Sequence, residues 1–211
     1  MSRTPEQRFT DSDSSETASD PTKDDAGTAG EPHHHSRLHR SEGVLEYAIS
    51  MGSNLGDRLH NMQMARDRLL HDPEFTVVAQ SPVYDTEPVE VAPAYQSLSY
   101  LNAVLVIESR IAPHSVMLHL HEIEYEMGRV RGADRNAPRP IDLDILYAGD
   151  IAASAPGLSI PHPRWQERRF VVEPLADVRP HHILPDDPRT VAEVLAALPS
   201  EPKVALFSRN W

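Results

Sequence analysis

From Leu45 onward apolar residues recur at strand and helix periods, whereas the first 43 residues carry almost none of large size. Residues 47–51 are an apolar run of strand length, and they predict a buried strand. Gly52-Ser53-Asn54-Leu55-Gly56-Asp57 predicts a turn in which both glycines act as turn residues. Asn54 or Asp57 is placed to cap the helix after it, whose apolar positions are Leu59, Met62, Ala65, Leu69 and Leu70. Residues 75–84 predict a second strand, followed by a loop rich in Pro, Glu and Ala from Asp85 to about Ser97. In residues 100–108 Leu101, Ala103, Leu105 and Ile107 alternate, as one face of a third strand does. Pro113 opens a helix that presents Val116, Leu120, Ile123 and Met127. Residues 141–147 predict a fourth strand, residues 163–173 a helix, and residues 190–198 a short last helix.

The order is β-α-β-β-α-β and then more helix. With its long connections, it predicts an α+β domain of ferredoxin-like βαββαβ type, a largely antiparallel sheet flanked by helices. Its span is residues 44–211. Residues 1–43 are rich in Ser, Thr, Asp, Glu and Pro and cannot bury enough apolar surface to offset their ordering entropy. They read as a disordered acidic tail, and His33, His34 and His35 within it as a solvated run.

Charge and composition narrow the function. A net charge of −12 disfavours generic nucleic-acid binding, which needs clustered cations. No apolar run approaches the ~20 residues of a membrane span, and the N-terminus lacks the basic-then-apolar order of a secretory signal. The absence of cysteine excludes disulfides, thiolate metal sites and a cysteine nucleophile. The expectation is a cytoplasmic monomer that acts on small molecules.

The candidate chemistry centres on Arg139-Pro140-Ile141-Asp142-Leu143-Asp144-Ile145. On a strand, Asp142 and Asp144 share one face while Ile141, Leu143 and Ile145 face the core. Two adjacent carboxylates repel one another. A divalent cation relieves that repulsion, and magnesium suits oxygen ligands that it can share with nucleotide phosphates. Arg129, Arg131, Arg135 and Arg139 precede the pair, and guanidinium forks match phosphate oxygens. Salt bridging to Asp134, Asp142 or Asp144 is the plainer use for one or two of them. Pro138 and Pro140 stiffen the approach. His121 and Glu124 lie three apart on one helix face; taken alone they read as surface residues. His162, between Pro161 and Pro163, is as fit for a structural role as for donating to phosphate. Neither a Walker loop nor a dinucleotide fingerprint is present.

Six segments together resemble the 6-hydroxymethyl-7,8-dihydropterin pyrophosphokinase family. They are Ala48 through Asp57, Ser81 through Pro88, Tyr100-Leu101-Asn102-Ala103-Val104, Glu124 through Arg131, Pro138 through Asp144, and Ile160-Pro161-His162-Pro163 with Arg168-Arg169-Phe170. They follow the family's order over roughly residues 46–205. The resemblance implies diphosphate transfer from ATP to the pterin (an activity of type EC 2.7.6.3) in folate biosynthesis. It implies that Asp142 and Asp144 hold two magnesium ions, and that Arg131, Arg135 and Arg139 contact ATP, with Arg131 and Arg139 stabilising the transfer. Glu124, His162 and Arg168 align with further ATP contacts. Tyr100 and Phe170 align with the rings that sandwich the pterin, Asn102 with the amide that reads its edge, and Thr86 to Val89 with main-chain contacts to it. His121, Asn136, Gly157 and Pro163 stand where the family's familiar residues are glutamine, tryptophan, arginine and an aromatic. Two alternatives are a magnesium-dependent nucleotidyltransferase and a non-catalytic ATP-binding module.

Overall fold

The computed structural model describes residues 43–130 and 137–211. The predicted tail lies outside these residues except for Gly43, and so do Arg131, Arg135 and Asn136. The elements are β1 (Leu45–Ser53), α1 (Arg58–His71), β2 (Thr76–Gln80), β3 (Val83–Thr86), β4 (Tyr100–Ser109), α2 (Pro113–Glu126), β5 (Asp142–Ala148), β6 (Ala153–Ala155), β7 (Leu158–Ile160), α3 (Arg169–Val178), α4 (Val191–Ala197) and β8 (Val204–Ser208).

β5, β1, β4, β3 and β8 are neighbours in that order, all paired antiparallel, and β2 pairs antiparallel with β4 beyond β3. With β2 and β3 counted as one broken strand, the βαββαβ arrangement is the one expected. The break has a local cause. Ser81 exchanges hydrogen bonds with Val104 through its main-chain N–H (2.9 Å) and its Oγ (2.8 Å). Pro82 then has no N–H to give, so the ladder is interrupted there.

Both faces of the sheet are covered. On one, Tyr47, Ile49, Met51, Leu101, Ala103, Leu105 and Ile107 pack with Met62, Ala65 and Leu69 of α1 and Val116, Leu120 and Ile123 of α2. This is the alternating face read from the third strand. On the other, Ala48, Val104, Val106, Leu146 and Tyr147 pack with Val171, Val172 and Leu175 of α3 and Val191 and Val194 of α4. β4 is therefore apolar on both sides. Asp57 caps α1 by accepting from His60 N at 3.1 Å, and Thr190 with Glu193 forms a capping box on α4.

Three readings are corrected. Gly52 is not in a turn: it lies within β1, opposite Asn102 of β4 and Asp142 of β5. Gly56, at φ 69°, is the turn glycine. Residues 163–173 are not one helix; a 3-10 turn, Trp165–Glu167, precedes α3. Arg168 between them is extended (φ −112°, ψ 100°), and the indole of Trp165 is fully buried with its N–H on Asp186 at 3.2 Å. Finally, β6, β7 and β8 are strands that no sequence pattern had marked.

Candidate active site

The acid pair is aimed by strand geometry. Leu143 and Ile145 enter the α1/α2 core, so Asp142 and Asp144 emerge on the opposite face, beyond the cover of α3 and α4. Asp142 sits opposite Gly52 and Asp144 opposite Ser50. Between Ala48 and Ile49 the β1–β5 register shifts by a bulge, after which Leu146 and Tyr147 both join the second core.

Around this pair lies a cavity of about 290 Å³, lined by Ser50 and Gly52 of β1, Thr86 of β3, residues 87 and 89–91, Tyr100 and Asn102 of β4, Arg139, Asp142, Asp144, Arg164, Arg168 and Phe170. All five residues expected to face a pterin are among them. Asn102 is buried and donates through Nδ2 to Thr86 Oγ1 at 2.7 Å. Arg139 stacks over Tyr100 and Arg168 over Phe170, each with Cζ 5.7 Å from the ring centre. Asp144 also borders a second cavity of about 330 Å³, with Met117, His121, Leu143, Gly157, His162 and Pro163 in its wall. A third hollow is lined by His121, Glu124, Tyr125, Arg129 and Val130. The expected residues thus meet in one region with Asp144 at its centre, apart from Arg131 and Arg135, which lie outside the described residues.

Glu124 is not a surface residue. It is 1% exposed, and its Oε1 accepts from Leu143 N at 2.8 Å and from Arg129 Nη1. Arg129 Nη1 also donates to Asp142 Oδ1, and Arg139 Nη2 donates to Asp142 Oδ2 at 2.6 Å. Two guanidinium groups therefore neutralise Asp142, as the plainer salt-bridge reading expected of one or two arginines. Burial opposes the charge of Arg129, but Asp142 and Glu124 outweigh it and hold its pKa up.

The backbone at Arg139 is held by a residue read only as a possible cap. Asn54, 4% exposed, accepts from Arg139 N through Oδ1 at 2.8 Å, and its own N–H donates to Arg139 O at 3.3 Å. Only Pro138 and Pro140, as stiffeners of that approach, hinted at an anchor there.

The Asp144 carboxyl is pushed up to about 7, first by burial and then by Asp142 and Glu124. More than a third of its surface still opens into the cleft, but dense protein surrounds it on the other sides. His162 accepts at Nδ1 from Arg164 N at 3.1 Å, which leaves its Nε2 to carry the proton. Burial and then Arg168 hold its pKa down, so it is a neutral donor. Gly157, at φ 80°, turns the β6–β7 hairpin in a conformation that an arginine there would strain.

Among the described residues no cluster of three or more His, Cys, Asp or Glu side chains converges on a point. The pair therefore offers two carboxylates and no more. That set fits magnesium, which keeps several waters and takes its remaining oxygens from substrate phosphates. No described helix is long and apolar enough to cross a membrane.

Comparison with known proteins agrees with this geometry. The family model described as 7,8-dihydro-6-hydroxymethylpterin-pyrophosphokinase matches residues 48–180. The 2-amino-4-hydroxy-6-hydroxymethyldihydropteridine pyrophosphokinase of Pseudomonas aeruginosa is 40% identical over 153 residues, covering 72% of this chain and 91% of that protein. A folate synthesis bifunctional protein of Arabidopsis thaliana is 41% identical over 133 residues, 63% of this chain and only 27% of that one. Among solved structures, Plasmodium falciparum HPPK-DHPS with pteroate superposes with a TM-score of 0.56 at 14% identity, over 72% of this chain and 42% of that one, a likeness of fold.

Proposed function

Because the chain belongs to the 7,8-dihydro-6-hydroxymethylpterin-pyrophosphokinase family, we propose that its cleft transfers a diphosphate from ATP to 6-hydroxymethyl-7,8-dihydropterin, giving AMP and the pterin diphosphate. The observation that carries this reading is that one cavity holds both the aromatic–amide set of Tyr100, Asn102 and Phe170 and the acid pair Asp142 and Asp144.

The flat heterocycle stacks between Tyr100 and Phe170. Asn102 uses Nδ2 on Thr86, so its Oδ1 remains to accept from the ring's N–H edge. Thr86, Glu87 and Val89 line the same wall. The pterin hydroxymethyl oxygen forms a bond to the β-phosphorus as the bond from that phosphorus to the α,β-bridging oxygen breaks. The electron pair leaves on the AMP oxygen, and the hydroxyl proton is released to solvent. Negative charge spreads over phosphate oxygens in this step; the guanidinium groups of Arg129 and Arg139, beside Asp142, would meet it, and the family resemblance adds Arg131. Arg168 and His162, with Glu124 holding Arg129 in place, would complete the nucleotide side, and the family resemblance adds Arg135 to them. Asp142 and Asp144 would hold two magnesium ions, which supply charge neutralisation on the phosphates when bound. The rest is positioning.

The acidic charge and the lack of cysteine support action in the cytoplasm on small molecules, as a monomer with residues 1–43 as a separate tail. The test is product analysis. Incubation with ATP, magnesium and the dihydropterin is expected to give AMP and a pterin diphosphate. Free pyrophosphate with an adenylylated product would mean nucleotidyl transfer instead, the other chemistry an acid pair on a strand supports.

A further inference from the structure

Between β3 and β4 the chain runs along the cavity, supplying Glu87, Val89, Glu90 and Val91 to its wall. Near its start, Glu90 is the one non-glycine residue among those described with a positive φ, 56°. That backbone turns its carboxylate to Arg164, 74 positions along the chain, where Oε2 accepts from Nη2 at 2.8 Å. Arg164 stands in the connection from β7 to α3 that also carries His162 and Arg168 and leads into Phe170 in the first turn of α3. The pair thus ties together two connecting segments that both line the cavity.

The side chains are 43% exposed for Arg164 and 63% for Glu90. An ion pair in such solvent is weak and easily opened. Arg164 has a second partner, Glu167 Oε2 at 3.3 Å, which can keep it when Glu90 lets go. A left-handed glutamate is held against its own preference, so the open loop has a conformational reason to leave. Weak closure, a second partner and a strained closed form describe a reversible fastening and not a structural brace. The shift of the Glu90 carboxyl below its usual range, caused by Arg164, agrees with the contact.

We propose that Glu90 and Arg164 are a positioning pair, a latch across the cavity mouth that sets the rate at which the pterin leaves. The assignment of a pterin to this cavity rests on the function proposed above; the latch itself does not.

Two readouts separate the claims. In the ligand-free protein, amide hydrogen exchange of residues 87–97 is expected to quicken about two- to fivefold in Glu90→Gln and in Arg164→Gln. It should return to the wild-type rate in the exchanged pair Glu90→Arg with Arg164→Glu. Stopped-flow release of the pterin should change in parallel, the KM for pterin rising while that for ATP does not. High salt should speed release in the wild type more than in Glu90→Gln. Exchange at the wild-type rate in both single variants, or no recovery in the exchanged pair, would overturn the latch. Quickened exchange that is restored by the exchanged pair, in a protein that binds no pterin, would uphold the latch and overturn the pterin assignment.

Discussion

Asn102 and Asp142 lie on one row of the sheet with only Gly52 between them, each directly opposite that glycine. Two strand spacings separate them, about 10 Å. A side chain at position 52 would stand between Asn102, proposed to read the pterin edge, and Asp142, proposed to hold magnesium on the phosphates. A Cβ there would lie 3.1 Å from Asn102 Oδ1 and 3.8 Å from the Asp142 Cβ. Gly52→Ala is therefore expected to displace the Asn102 amide and obstruct the floor of the cavity. Overpacking of this kind costs about 1–3 kcal/mol, so pterin affinity should fall at least about fivefold in a titration. Unchanged affinity would mean that the ring does not lie over this row.

Asn54 and Arg139 give a second prediction, which concerns a residue with no expected ligand contact of its own. Removing the Asn54 amide leaves Arg139 N without its partner. Asn54→Ala should lower stability by about 1–3 kcal/mol, as an unsatisfied buried donor does. Because Arg139 then loses its fixed approach, kcat should fall about tenfold or more. Urea unfolding and steady-state kinetics measure the two effects separately.

Glu124 and Arg129 form a buried pair, and the size of the loss should depend on what replaces the carboxylate. Glu124→Ala removes the acceptor of Leu143 N and one of the two carboxylates that hold Arg129, leaving Asp142 as the other, and it should cost about 1–3 kcal/mol. Glu124→Gln keeps an acceptor for Leu143 N and should cost less. Equal losses in chemical denaturation would show that Asp142 alone meets the charge on Arg129.

Two carboxylates should give opposite pH dependences. Asp144, pushed up to about 7 from an ordinary 3.8, binds its proton more tightly folded than unfolded. Its contribution makes the ligand-free protein less stable as pH rises from about 4 to 7, and Asp144→Asn should remove that slope. Magnesium needs the deprotonated form, so its affinity should rise over the same interval. Glu46 behaves the other way. Burial would raise its pKa, but hydrogen bonds from Arg179 (2.7 and 3.0 Å) and Tyr147 (2.6 Å) hold it below the usual 4.5. Its contribution is present above that value and is lost as pH falls through the depressed one; Glu46→Gln should lose it at neutral pH. Unfolding measured from pH 3 to 8 in both variants tests both signs.

Much of this was legible in the sequence because the signals were periodic. Alternation at Leu101, Ala103, Leu105 and Ile107 marked a core face, and alternation at Ile141, Leu143 and Ile145 put Asp142 and Asp144 on the other. What was not legible depended on contacts between distant segments. Gly52 reads as a turn residue because glycine so often is one; its use as an empty place in a strand needs Asn102 and Asp142 beside it. Glu124 reads as a surface residue until Arg129 and Leu143 N are brought to it. β6, β7 and β8 are three to five residues long, too short for a period to show. Trp165 leaves the helical path to reach Asp186, a partner 21 positions away that no local pattern announces.

The most direct measurement is AMP production from ATP and magnesium, with and without 6-hydroxymethyl-7,8-dihydropterin, in the wild type and in the double variant Asp142→Ala, Asp144→Ala. Pterin-dependent AMP in the wild type, lost in the variant while the pterin still binds, is the predicted result. No pterin-dependent AMP from a wild-type protein that binds both substrates would contradict the account and leave a nucleotide-binding module without catalysis.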